Sequence, residues 1–319
     1  MKRLLVWITL FLLLLPAGCA REEPMEEEAW PLRITAVLPH DDDYYWRGVA
    51  EGISQRAGAL GIDAEIVWPQ LNYNIPQMTE FIKEATAARV DAIITQGAED
   101  PQYLTALAEA GQAGIQVVLI DTDITENNDY LYIGTDNLSA GRLLGEALVR
   151  VTGGQSVTAV ISGAEHLSNM DQRLQGLREV IAQHPGIELR RVEYGNYDSI
   201  TILEKYHLIL QEDPDVDTFV CLEGTGCIAL SRVLTPENCP LDHVLGFDLT
   251  EDAISGIRAG FLDGVATQQQ RLMGRIAVEE IQRFAQEGSY SGAIRYTDTQ
   301  FVTAENLEDA ISEVEGYEQ

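Results

Sequence analysis

Acids, amides and aromatics recur in this chain at one kind of place, the few residues that follow a short apolar run. After Ile34 to Leu38 comes His40-Asp41-Asp42-Asp43-Tyr44-Tyr45-Trp46, after Val117 to Ile120 comes Asp121, after His243 to Phe247 comes Asp248, and after Val265 to Thr267 come Gln268 and Gln269. In open α/β sheets the polar side chains that meet a ligand sit just beyond the carboxyl ends of the strands. Each Asp taken alone is equally a helix cap or a turn residue. Their repetition at strand ends predicts a cleft lined by hydrogen-bonding groups.

Other chemistries lack their residues. Asp121-Thr122-Asp123-Ile124-Thr125-Glu126 begins like a calcium loop, but Glu126 stands where glycine is required and Tyr132 where the bidentate glutamate belongs. No Gly-x-Gly-x-x-Gly follows the first strand and no Walker glycine-lysine pair occurs, so nucleotide chemistry has no cradle. The five His, at 40, 166, 184, 207 and 243, show no metal-ligand spacing, and neither Ser162-Gly163 nor Ser255-Gly256 forms a nucleophile elbow. No cofactor is expected. Cys221 lies in an apolar run and reads as a core thiol. Cys227 and Cys239 are candidates for a disulfide in an oxidising compartment, with the pairing left open by sequence alone.

The elements that must position these residues alternate. Apolar runs at Ile34 to Leu38, Ile66 to Trp68, Ala92 to Thr95, Val117 to Ile120 and Leu131 to Gly134 predict strands. Amphipathic stretches at Trp46 to Leu60, Pro76 to Ala88 and Pro101 to Ala113 predict the helices between them. The pattern then begins again: helix Ser139 to Val151, strand Val157 to Ser162, helix Gln172 to Gln183, strand Leu189 to Tyr194, helix Ile200 to Leu210, strand Thr218 to Leu222, helix Cys227 to Leu234, strand His243 to Phe247. After Gly264 come strand Val265 to Thr267, helix Leu272 to Gln286 and a last strand near Gln300 to Val302, and the acidic tail from Glu305 is expected to form a short surface helix or to fray. Two similar α/β halves follow, with Asp129 to Asp136 a candidate crossing strand between them.

The first nineteen residues read as an export signal: Lys2 and Arg3, the apolar run Leu4 to Leu15, then Pro16-Ala17-Gly18-Cys19. The run is too short to span a bilayer of about 30 Å. Ala17-Gly18-Cys19 resembles a bacterial lipobox, which makes Cys19 the lipidation site, with Pro16 standing where leucine is usual. Residues 21–28, with five Glu, read as a solvated spacer. The chain carries 51 acidic against 21 basic residues, net charge −30. A surface this negative repels phosphate backbones, so nucleic acid is not an expected partner.

Four segments, Leu131 to Gly141, Gln172 to Leu177, Val244 to Asp248 and Gly264 to Gln268, resemble in order and spacing the landmarks of type I periplasmic sugar-binding proteins of the ribose-binding kind. The resemblance covers about residues 32–302. It implies an α/β fold of two Rossmann-like doubly wound lobes joined by a three-segment hinge. The expected division is 1–19 signal peptide, 20–31 acidic linker, 32–136 plus 269–292 N-terminal lobe, 137–268 plus 293–303 C-terminal lobe, and 304–319 acidic tail. By position the resemblance assigns Tyr45 and Trp46 to the paired aromatics that stack on a sugar ring, Asp43 to the adjacent polar contact, Asp121 and Asp248 to the acids after their strands, and Gln268 to the hinge amide. Such a set suits sugars, which need flat apolar faces for ring C–H groups and acceptors for adjacent hydroxyls.

Two positions depart from the ribose-type pattern. Asp171 stands where a ligand-contacting arginine is usual, while Arg173 keeps the motif position in a structural role. Glu223-Gly224-Thr225 replaces an Asn-Asp pair. Asp43, Asp121, Asp171, Glu223 and Asp248 would then share the cleft without a basic partner, which favours a cationic ligand such as an amino sugar, or a ligand bound with a metal ion; a neutral sugar is the default. The implied role is a monomeric, membrane-anchored binding lipoprotein that delivers a sugar-like ligand to an ABC transporter permease, without catalysis. A receptor reporting to a membrane kinase would share the cleft. An exported glycoside-acting enzyme is the alternative from another class, since paired carboxylates about 5 or 6.5–9.5 Å apart cleave glycosidic bonds. A repressor of the lactose-repressor type needs a DNA-binding headpiece where this chain has its signal and spacer.

Overall fold

The computed structural model describes residues 31–41, 44–124 and 129–316. Cys19, the export signal, nearly all of the spacer, and Asp43 lie outside the described residues. A first series runs β1 (Arg33–Val37), α1 (Tyr44–Leu60), β2 (Asp63–Val67), α2 (Ile75–Ala88), β3 (Ala92–Thr95), α3 (Pro101–Gln112), β4 (Gln116–Ile120) and β5 (Leu131–Thr135). A second runs α4 (Asn137–Thr152), β6 (Ser156–Ser162), α5 (Ser168–Ile181), β7 (Ile187–Tyr194), α6 (Ser199–Glu212), β8 (Thr218–Cys221), α7 (Gly224–Ser231), β9 (His243–Phe247), α8 (Glu251–Ala259) and β10 (Gly264–Ala266). The chain ends with α9 (Gln270–Glu287), β11 (Ile294–Thr297), β12 (Phe301–Val302) and α10 (Leu307–Gly316).

The strands form two sheets, ordered β11-β5-β4-β3-β1-β2 and β12-β10-β9-β8-β6-β7. Pairing is parallel except for β10 with β12. Parallel sheets covered by helices on both faces bury both sides of their strands, which is why β3 reads Ala-Ile-Ile-Thr with every residue buried. Side-chain caps start the helices: Asp100 accepts from the Gln102 and Tyr103 amides ahead of Pro101, and Asn74, Asp136, Asp198 and Thr250 do the same for α2, α4, α6 and α8.

The two lobes are built alike. Their first helices each pack backbone to backbone against a partner, α1 on α9 and α4 on α5. A Cβ at Gly52 would stand 2.0 Å from the Arg271 carbonyl oxygen, and one at Gly141 would stand 2.1 Å from that of Arg173. Among the described residues the chain crosses between sheets three times, after β5, after β10, and between β11 and β12. Thr267 donates its amide to Gln300 O at 2.9 Å, tying two of these crossings together.

Two elements differ from the sequence expectation, and a third, the expected short helix in the acidic tail, docks more firmly than a surface helix would. β11 joins the first sheet, pairing with β5, so the part of 293–303 holding Ile294–Thr297 belongs with the N-terminal lobe. It is a half-exposed edge strand whose Arg and Tyr interrupt any apolar run. Helix α8, in a segment to which the pattern assigns no element, buries only Ala253, Gly256 and Ile257. In the acidic tail, α10 docks Leu307 and Ala310 into the C-terminal lobe's core. Cys221, Cys227 and Cys239 are free thiols, the first two buried.

Candidate functional site

A cavity of about 520 Å³ lies between the lobes, lined by loops at the carboxyl ends of strands from both sheets, within the usual range of ligand sites, about 300–1,000 Å³. The first lobe contributes His40, Tyr45 and Trp46 after β1, Asn72 and Tyr73 after β2, Gln96 to Asp100 after β3, and Asp121 and Thr122 after β4. The second contributes Asn169, Met170 and Arg173 after β6, Asn196 and Tyr197 after β7, Glu223 to Thr225 after β8, Asp248 and Thr250 after β9, and Gln268 after β10.

Asp121 and Asp248 occupy matched places, each after the fourth strand of its lobe, with left-handed backbone at φ 66°. Each backbone amide is held by the next strand, Asp121 N–H by Ile133 O at 2.9 Å and Asp248 N–H by Ala266 O at 2.8 Å. The Asp121 carboxylate accepts from Tyr45 OH at 2.6 Å and from Thr122 Oγ1 at 2.8 Å. Burial, with Asp121 adding to it, pushes the Tyr45 phenol far up, so it stays a proton donor. Asp248 accepts from Gln268 Nε2 at 2.8 Å.

Gln268 joins the lobes. Its Oε1 accepts from Thr135 Oγ1 and from Arg173 Nη2, both at 2.8 Å. Arg173, 2% exposed, also donates to Asn137 Oδ1 at 2.8 Å and Leu222 O at 2.9 Å, and its guanidinium lies 3.8 Å from the Phe247 ring centre. Across the cleft Asn169 Nδ2 donates to Thr122 Oγ1 at 3.2 Å and Ser168 Oγ to Asp123 O at 3.1 Å, so the lobes touch over the cavity.

Of the expected ligand contacts, Tyr45, Trp46, Asp121, Glu223, Asp248 and Gln268 come together here. Asp171 does not: it is exposed on α5, whose cleft side carries Asn169, Met170 and Arg173, because helical periodicity turns position 171 away. The expectation of clustered acids with no basic partner also fails, since Arg173 lies among them. Among the described residues no group of three His, Cys, Asp or Glu is placed to hold a metal ion. Tyr45 and Trp46 meet edge to face, ring centres 5.3 Å apart at 84°, and Trp46, 1% exposed, packs into the first lobe's core. Glu223 caps α7, accepting from Thr225 N–H at 2.6 Å and Gly226 N–H at 2.9 Å. Burial, with Asp248 nearby, raises its pKa to about 7 against the pull of those hydrogen bonds.

Sequence reasoning missed Asn72, Tyr73, Asn169, Asn196 and Tyr197. A signal existed for four of them: Asn-Tyr precedes an Asx residue at both 72–74 and 196–198.

The sequence profile of the periplasmic binding protein domain matches residues 34–289. The chain is 25% identical over 257 residues to a D-apiose import binding protein of Paraburkholderia graminis, covering 80% of this chain and 82% of that one. It is 22% identical over 236 residues to the ribose import binding protein of Bacillus subtilis, covering 74% and 75%. Among solved structures, a glucose-galactose binding protein from Geobacillus stearothermophilus superposes with a TM-score of 0.81 at 29% identity, covering 87% of this chain and 99% of that one.

Proposed function

Because this chain belongs to the periplasmic binding protein family, we propose that it is an exported substrate-binding protein that captures a sugar between its lobes for an ABC importer. The observation that carries this reading is the cavity itself. Its walls come from the strand ends of both sheets, and its carboxylates are aimed by matched left-handed turns. The relatives named for sugar import and sugar binding support the substrate class. Asp121, Glu223 and Asp248 each accept hydrogen bonds within the protein, and Arg173 offsets part of the charge, which favours a neutral sugar bound without a metal ion. Asp121, Asp248 and Gln268 contact its hydroxyls, with Tyr45 and Trp46 forming part of its wall.

Export and a lipid anchor at Cys19 are supported by Lys2, Arg3, the apolar run to Leu15 and the small residues before Cys19. The acidic spacer gives the anchored protein reach. It works as a monomer and catalyses nothing. A thermal-shift screen over neutral monosaccharides, amino sugars and oligosaccharides, with and without divalent cations, tests this: one neutral monosaccharide should stabilise the chain stoichiometrically without product. Stabilisation only by amino sugars or added cations would refute the neutral-ligand reading. Oligosaccharide turnover would refute the binder.

A further inference from the structure

The second strand of each lobe is followed by the same short signature, Asn72-Tyr73-Asn74 after β2 and Asn196-Tyr197-Asp198 after β7. In both the third residue caps the next helix. In both the tyrosine stands in the left-handed region, Tyr73 at φ 55° and Tyr197 at φ 56°. Bulky residues avoid that region, and where the fold imposes it the strain tends to mark functional positions. The two rings stack on each other from opposite lobes, centres 5.2 Å apart and planes 17° apart.

Sheet order gives the stack its leverage. The strands flanking the crossings, β5, β10, β11 and β12, lie toward one edge of their sheets, and β2 and β7 form the opposite edges. The stack therefore closes the end of the cleft farthest from the hinge, where rotation of the lobes opens the widest gap. Both rings are braced from behind. Trp46 Nε1 donates to Tyr73 OH at 3.1 Å, and the His40 ring meets Tyr73 edge-on at 5.8 Å. Tyr197 lies on bare backbone, since a Cβ at Gly163 would stand 2.5 Å from its ring.

We propose that Tyr73 and Tyr197 form a two-ring clasp that bars the mouth of the cleft and makes the site specific for a single sugar ring, enclosed whole, over the same ring extended by a glycosidic substituent. The proposal rests on the sugar-capture reading. A substituent leaving by the mouth must part the rings, and a bound monosaccharide escapes only after they separate, so the clasp governs both selectivity and release.

The test uses the full chain and a monosaccharide that stabilises it, with stopped-flow tryptophan fluorescence for release and titration for affinity. Tyr73→Ala and Tyr197→Ala should release the monosaccharide several-fold to about tenfold faster, the range set by the worth of an aromatic pair. Tyr73→Phe and Tyr197→Phe, which keep the rings but lose the hydroxyls, should release the sugar more slowly than the corresponding alanine variants, since stacking persists. The affinity ratio of the methyl glycoside or a disaccharide to the free sugar should rise in the alanine variants. If alanine prevents folding, Tyr73→Leu and Tyr197→Leu keep bulk without a stackable ring and carry the same expectation. Folded variants with unchanged release and an unchanged ratio overturn the clasp, as does a wild type that binds the extended glycoside as tightly as the free sugar. A wild type that binds no sugar at all overturns the underlying reading, and the clasp with it.

Discussion

Asp121 and Asp248 owe much of their aim to backbone conformation. At each, φ is 66°, and the next strand takes the backbone amide and helps hold the residue there. Hydrogen bonds to a charged group contribute about 1.5–3 kcal/mol. Asp121→Asn or Asp248→Asn should therefore lower sugar affinity about ten- to a hundredfold in a calorimetric titration. Glu223 makes a separate prediction. Its folded pKa, about 7, lies above the ordinary 4.5, so the folded state binds the proton more tightly than the unfolded chain. Its cost to stability is absent below about pH 4.5, grows as pH rises toward 7, and is constant above that. Glu223→Gln should flatten the fall in thermal midpoint over that window, because the substituted group does not ionise. The aspartates were legible because they follow apolar runs. The burial of Trp46 and the outward turn of Asp171 were not, since both depend on how a helix is rotated against its sheet.

At the scale of elements, the helix pairs α1 with α9 and α4 with α5 depend on bare backbone contact. Gly52→Ala and Gly141→Ala should each cost about 1–3 kcal/mol in denaturant unfolding, because the added methyl would meet a carbonyl oxygen that cannot move alone. Asp100→Ala removes an acceptor shared by two amides and should cost about 1 kcal/mol. The strands β3 and β9 were readable to the residue, because a buried parallel strand is a continuous apolar run bounded by polar turns. β11 and α8 were not. An edge strand facing solvent and a short helix buried on three residues leave little periodicity to read, and which sheet β11 joins is decided by pairing with β5, a partner more than a hundred and fifty residues away.

For the whole molecule, the order of two α/β series and the crossing after β5 were written in the sequence, while the closing contacts were not, since they join residues from different lobes. Ser168, Asn169 and Tyr197 reach across to Asp123, Thr122 and Tyr73, and only the folded chain brings those loops together. A ligand that binds the closed cleft stabilises it by mass action, about 2.7 kcal/mol at a hundred times Kd. Capture of a neutral sugar by this cleft is open to isothermal titration of the full chain with a panel of neutral monosaccharides in the presence of a metal chelator. At least one should bind with a stoichiometry of one, and Asp248→Asn should weaken it. No heat and no stabilisation from any of them, with binding appearing only for amino sugars or on addition of a divalent cation, would contradict neutral-sugar capture.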